Sequence, residues 1–150
     1  MKVKCIAKDL TEKQKKILSV PPNIDPGCGT LTIGKDYLVL GITYIIDPYY
    51  WTCSAFEIKD DIGSCSSAPM CLFEIIDPRP SVFWRAGGNF PNFTLWPIEF
   101  YQDYFHDLLS DGDPEVQKVF NSVVDRLTYE FEDVTQGLPD PLAWPFEEYK

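Results

Sequence analysis

The chain has 150 residues, 45% of them apolar and 15% aromatic, which is the composition of a globular protein and excludes a disordered one. That length fits one domain over residues 1–150 with a sizeable core. A net charge of −10 argues against nucleic acid as a partner, because phosphate contacts need a basic surface.

In chain order, KVKCIA (residues 2–7) alternates as a short strand does. TEKQ, from Thr11, is a capping-box pattern in which Thr11 caps and Gln14 reaches back, so a helical turn is predicted near 11–18. SVPPNIDPGCG is a loop, broken by its prolines and glycines. GTLTIGKDYL then places Gly29, Gly34 and Lys35 one residue short of the phosphate loop G-x-x-x-x-G-K-S/T. Asp36 stands where phosphates would sit, and strand-forming residues follow in place of a helix, so no anion is expected there. Gly34 instead makes a tight turn into a strand from Tyr37.

YLVLGITYII is apolar on both faces, as in a strand covered twice. Its ten residues are too few to span a bilayer. WTCSAFEIK, the turn DDIGS and MCLFEII read as a hairpin, DPRPS as a further turn and VFWRA as a last short strand. Residues 1–90 are therefore expected to be mainly β. Residues 97–134 read as helical. Asp113 is a cap, Pro114 sits at the first position, and Val116, Val119, Phe120, Val123, Val124, Leu127 and Phe131 fall at steps of three and four. PIEFYQDYFHDLLSDG before it reads as a shorter aromatic helix. The tail, residues 135–150, holds three prolines and is expected to dock irregularly through Leu142, Trp144 and Phe146. The predicted class is α+β: a small, strongly bent antiparallel β-sheet or SH3-like barrel of five short strands, with a C-terminal helical part packed against it.

Five cysteines (Cys5, Cys28, Cys53, Cys65 and Cys71) are an odd number, with no C-x-x-C pair. Free buried thiols fit, and no metal or other cofactor is expected. MKVKCIAKDL lacks the apolar core of a secretion signal, so the expected compartment is the cytoplasm, with no membrane partner. The charge is unevenly placed. Residues 1–98 hold ten acidic and ten basic side chains, and residues 99–150 hold thirteen acidic and three basic. All of the imbalance lies in the last third, where an acidic surface attracts cationic partners.

KVKCIAKDL, LTIGKDYLVLGI, LFEIIDPRPSVFWR and FYQDYFHDLLSDGDPEV together resemble a family of small uncharacterised bacterial SH3-like barrel proteins with a helical C-terminal part. Members are similar to immunity proteins of secreted bacterial toxins. The resemblance spans nearly the whole chain but brings no catalytic motif and no functional residue with it.

Of the chemistry-bearing residues, His106 is the only histidine and sits in an aromatic stretch, the setting of a structural ring. Asp60 and Asp61 are ordinary turn residues. Glu57 and Glu74 sit within apolar strands and are either inward acids or, the preferred reading, residues of a solvated strand face. Trp84 and Arg85, beside Gly87 and Gly88, are either a ligand-stacking pair or barrel closure. Asp103, Asp107 and Asp111 repeat every four residues, an acidic stripe if that stretch is helical. The function expected is non-enzymatic: a protein-binding protein that neutralises a basic partner, a toxin domain encoded nearby, through Asp103, Asp107 and Asp111, with Trp51 and Trp84 as an aromatic rim and Arg85 as a further partner-binding residue. The alternatives are an SH3-like adaptor that binds a peptide through Tyr49, Tyr50, Trp51 and Trp84, and a hydrolase built on His106.

Overall fold

The structure is a computed structural model and describes residues 1–24, 26–46 and 52–132. Strand β1 (Lys2–Cys5) turns Val3 and Cys5 inward. Helix α1 (Glu12–Ile17) starts at the expected capping box: the Gln14 amide donates to Thr11 Oγ1 at 3.3 Å, and the Thr11 amide donates to Gln14 Oε1 at 2.8 Å. Strand β2 (Asp36–Ile46) begins as predicted after Gly34, which takes a φ of 85° that suits glycine. Lys35 is held by Asp61 and sits near the Tyr37 ring, so its charge is already met. Asp61 also accepts from Thr32 and Tyr37 hydroxyls, which ties the turn before β2 to the turn after strand β3 (Thr52–Lys59).

The hairpin partner of β3 is not MCLFEII. It is strand β4 (Cys65–Pro69), with Lys59 opposite Cys65 and Ala55 opposite Pro69. The reason is the tightness of the turn. Asp60 accepts from the amides of Ile62 and Ser64 and from the Ser66 hydroxyl, so the chain reverses within five residues, 60–64, and the return strand starts at once. Met70–Leu72 form a 3-10 turn, and strand β5 (Phe73–Asp77) crosses away to pair with β1. Strands β6 (Trp84–Gly87) and β7 (Phe93–Pro97) follow; β7 adds to the five short strands that the sequence predicts.

One edge of β2 is shared. Its first residues pair with β1 and residues 42–44 pair with β7, while β3 lines the other edge along most of its length. The register against β3 shifts between Val39 and Gly41, and such a bulge bends the strand where the sheet forks. All pairings are antiparallel. The sheet is open: β4 and β5 end the strand order, each pairs on one side only, and the described residues do not close an SH3-like barrel.

Two apolar clusters stabilise the sheet. One holds Val3, Val39, Phe56, Ile58 and Leu72, capped by Leu10 and Leu31. The other packs Leu40 against Phe100, Phe105, Phe120 and Leu127 of the helical part. Trp84 belongs to the first, and its indole donates to the Leu40 carbonyl at 2.8 Å, so it closes the core as a buried ring with a satisfied donor.

The expected helical stretch 97–134 is interrupted. Ile98–Tyr101 is a 3-10 turn, α2 (Phe105–Ser110) is short, and α3 (Pro114–Glu132) is the long element. Tyr104, at φ 61°, and Gly112, at φ 78°, set the breaks. Helix α3 starts as read: Asp113 Oδ1 accepts from the Glu115 and Val116 amides, and Val116, Phe120, Val123, Leu127 and Phe131 face inward. Val119 and Val124 flank that stripe half-buried. Among the described residues no helix is long and apolar enough to cross a membrane. Tyr49, Tyr50, Trp51 and the tail residues Leu142, Trp144 and Phe146 lie outside the described residues.

Candidate functional site

Helices α2 and α3 cover only part of the second sheet face. Beyond the edge of α2 the face turns polar and forms a concavity of about 530 Å³. Thr43 of β2, Glu57 of β3, Ser67 of β4 and Thr94 of β7 line it from the sheet. Trp96 and His106 wall the helix side, and the loop over residues 88–92 walls the other. Asn92 fixes that loop by accepting from the Ile46 amide at 2.9 Å.

Glu57 is only 5% exposed. The polar order around it follows from what each group is able to donate. An indole N–H only donates, so Trp96 gives its hydrogen to Thr43 Oγ1 at 2.9 Å. The Thr43 hydroxyl then donates to Glu57 Oε1 at 2.6 Å. Trp96 reaches Thr43 because Gly41 leaves room: a Cβ there would lie 2.7 Å from the indole Cδ1. Tyr101 braces the same wall, its ring 5.2 Å from that of Trp96 and its hydroxyl 2.9 Å from Thr94 Oγ1.

Burying a carboxylate is costly unless donors or cations replace its water. Other inward carboxylates have such partners. Asp77 is held by Arg79, Glu99 by Arg126 through two bonds of 2.7 and 3.0 Å, and Glu130 by Ser81 and the Val82 amide. Asp60 and Asp113 each meet at least two donors. Glu57 has one donor, Thr43, and no cation among the described residues. The sequence put Glu57 on a solvated face, and the structure corrects this; Glu74 is exposed as expected. A signal was present in its neighbours. Phe56 and Ile58 flank it in a strand buried on both faces, where a carboxylate is out of place.

His106 packs edge-on against Trp96, Phe100 and Phe105, with ring centroids 4.9–5.5 Å apart. Its Nε2 is sealed and has no hydrogen-bond partner among the described residues. Cys65 borders the same concavity, but burial pushes its thiol up, and the carboxylates of Glu57 and Asp60 push it further. That is the reverse of what a thiolate nucleophile requires. Burial likewise raises Cys53 to about 12. Among the described residues no group of three His, Cys, Asp or Glu side chains is placed to hold a metal ion.

Asp103, Asp107 and Asp111 are exposed and make no ion pair among the described residues. They are not one helical stripe. Only Asp107 lies within α2, Asp103 precedes the left-handed Tyr104, and Asp111 caps the helix C-terminus. Asp107 lines a second, smaller hollow of about 310 Å³, which His106 and Cys65 share with the first. Trp84 and Arg85 point apart and are not brought to these aspartates. Trp84 is core, and exposed Arg85 folds back on the Val82 and Trp84 carbonyls at 3.0 and 2.9 Å. The expected aromatic rim loses Trp84, and Trp51 lies outside the described residues. Phe90, 100% exposed, lies on the β6–β7 loop, and exposed Phe93 begins β7.

No family model matches the chain, and no curated protein or solved structure matches it.

Proposed function

We propose that the protein is a non-enzymatic binding protein of the cytoplasm that captures a basic protein partner, a toxin domain encoded nearby, through its acidic C-terminal third. The observation that supports this is the state of Asp103, Asp107 and Asp111. All three are exposed, and no Lys or Arg among the described residues neutralises them. Some acids elsewhere are paired, as at Lys35–Asp61, Arg79–Asp77 and Arg126–Glu99. Unpaired carboxylates of one sign repel one another mildly in the free protein and attract a cationic surface on approach.

The test is a surface plasmon resonance measurement against the product of the adjacent gene, with wild type and the triple variant D103K/D107K/D111K. The triple reversal is expected to slow association. Added salt is expected to blunt the difference, because exposed charges are screened over about 8 Å at physiological ionic strength. Dissociation changes less, as for charges at an interface rim. An unchanged association rate at low salt overturns the acidic-surface reading.

A further inference from the structure

We infer that the concavity over Glu57 is a receptor for a guanidinium group carried on an alkyl chain. The carboxylate selects the charge. It is nearly buried, has a single donor and faces no cation among the described residues, so an anion is excluded and a neutral occupant leaves it under-satisfied. The rest of the lining offers acceptors at separated points: the hydroxyls of Ser67 and Thr94 and the side-chain amide of Asn89. A planar fork of five N–H donors matches spread acceptors better than a compact ammonium does, and it pairs with a carboxylate through two parallel bonds. Trp96 supplies a flat apolar wall for the stem, and a volume of about 530 Å³ lies within the range of ligand sites. The relay from Trp96 through Thr43 holds Glu57 Oε1 in place before any ligand arrives.

Two sources share this chemistry: an arginine side chain of the partner, and a free alkylguanidine. The inference rests on the proposed function only for the first source. The direct test needs no partner. The full chain is titrated with ethylguanidinium and, separately, with uncharged ethylurea, and binding is read by NMR at the Trp96 indole N–H and at the β3, β4 and β7 amides. Ethylguanidinium is expected to give a saturable shift there, and ethylurea none. Glu57→Gln keeps the shape and is expected to weaken binding about tenfold or more, the worth of one charge-assisted pair. If Glu57→Gln fails to fold, Ser67→Lys serves. Ser67 is exposed and directly opposite Glu57, so a lysine there fills the site from within and is expected to abolish binding.

No saturable shift, equal binding of ethylurea, or full binding to Ser67→Lys or a folded Glu57→Gln overturns the inference. The partner arm then separates the sources. Faster dissociation of the complex from Glu57→Gln assigns the cation to an arginine of the partner; unchanged dissociation, with the ethylguanidinium result intact, assigns it to a free alkylguanidine. A complex that forms while ethylguanidinium fails removes the receptor alone. Ethylguanidinium binding without a complex removes the partner reading alone.

Discussion

Replacing Phe120 by alanine measures how firmly the helical part is fixed to the sheet. Phe120 is 0% exposed and stacks on Phe100 at 6.3 Å, which in turn stacks on Phe105 at 4.9 Å. The Lys59 ammonium lies 6.0 Å from the Phe120 ring centroid and so ties α3 to β3. Truncation removes the ring and leaves a cavity among stiff aromatic neighbours that collapse poorly, for a loss of about 3–5 kcal/mol. The better helix propensity of alanine returns only about 0.5 kcal/mol. Against a total stability of about 5–15 kcal/mol this is a large share. In urea, with a slope of about 2 kcal/mol/M, the midpoint is expected to fall by about 2 M at unchanged slope. Tyr129→Ala, on the exposed side of the same helix, is the control, with a change within about 0.5 kcal/mol. A Phe120→Ala loss under about 1 kcal/mol would refute the packing argument and turn this face of α3 into an interface.

Gly41→Ala forces a Cβ to 2.7 Å from Trp96 Cδ1 and 2.9 Å from the Leu95 carbonyl; it is expected to cost about 1–3 kcal/mol in thermal unfolding and to move the Trp96 indole resonance, and an unmoved resonance counts against the Trp96–Thr43–Glu57 relay. Asp61 is held down from 3.8 to about 2, first by Lys35 and then by the Thr32 hydroxyl, so its stabilising effect is full above pH 3.8 and is lost as pH falls through about 2. Wild type is therefore expected to be more stable than Asp61→Asn at neutral pH, with the gap closing between about pH 4 and 2, and a pH-independent gap in urea unfolding contradicts the assignment.

What the sequence made legible is local. The Thr11 capping box, the Asp113–Pro114 helix start and the α3 stripe are encoded within a few residues of where they act, and all three stand in the structure. Strand β4 escaped notice because CSSAP has no apolar alternation; its place is set by the Asp60 turn and by β3 beside it. Strand β7 was masked by the prolines at 91 and 97, and its pairing with β2 spans some fifty residues of chain. The break before α2 falls on Tyr104, a residue type that rarely takes a positive φ, so no punctuation announced it. That break also undid the acidic stripe, whose spacing had meaning only on a continuous helix. The pocket was illegible for a related reason: Thr43, Glu57, Ser67, Thr94 and His106 come together only once β2 is shared between β1 and β7.

On the proposed function, the exposed aspartates and the buried glutamate would divide the work of binding by the dielectric around them. Charges in solvent act at long range, are screened by salt and govern encounter. A carboxylate nearly enclosed by protein acts mainly at contact, resists screening and governs dissociation. Helix α2 joins the two, because His106 borders both hollows while Asp107, its neighbour in the chain, lines the smaller one. A basic surface drawn toward Asp107 would thus arrive beside the Glu57 site, since the two hollows share His106 and Cys65. The two sets of charges predict different signatures: reversal of the aspartates alters a salt-dependent association rate, and neutralising Glu57 alters a dissociation rate that salt barely touches. If Glu57→Gln instead slowed association and left dissociation alone, the carboxylate would be acting as one more surface charge, and its burial would have no part in recognition.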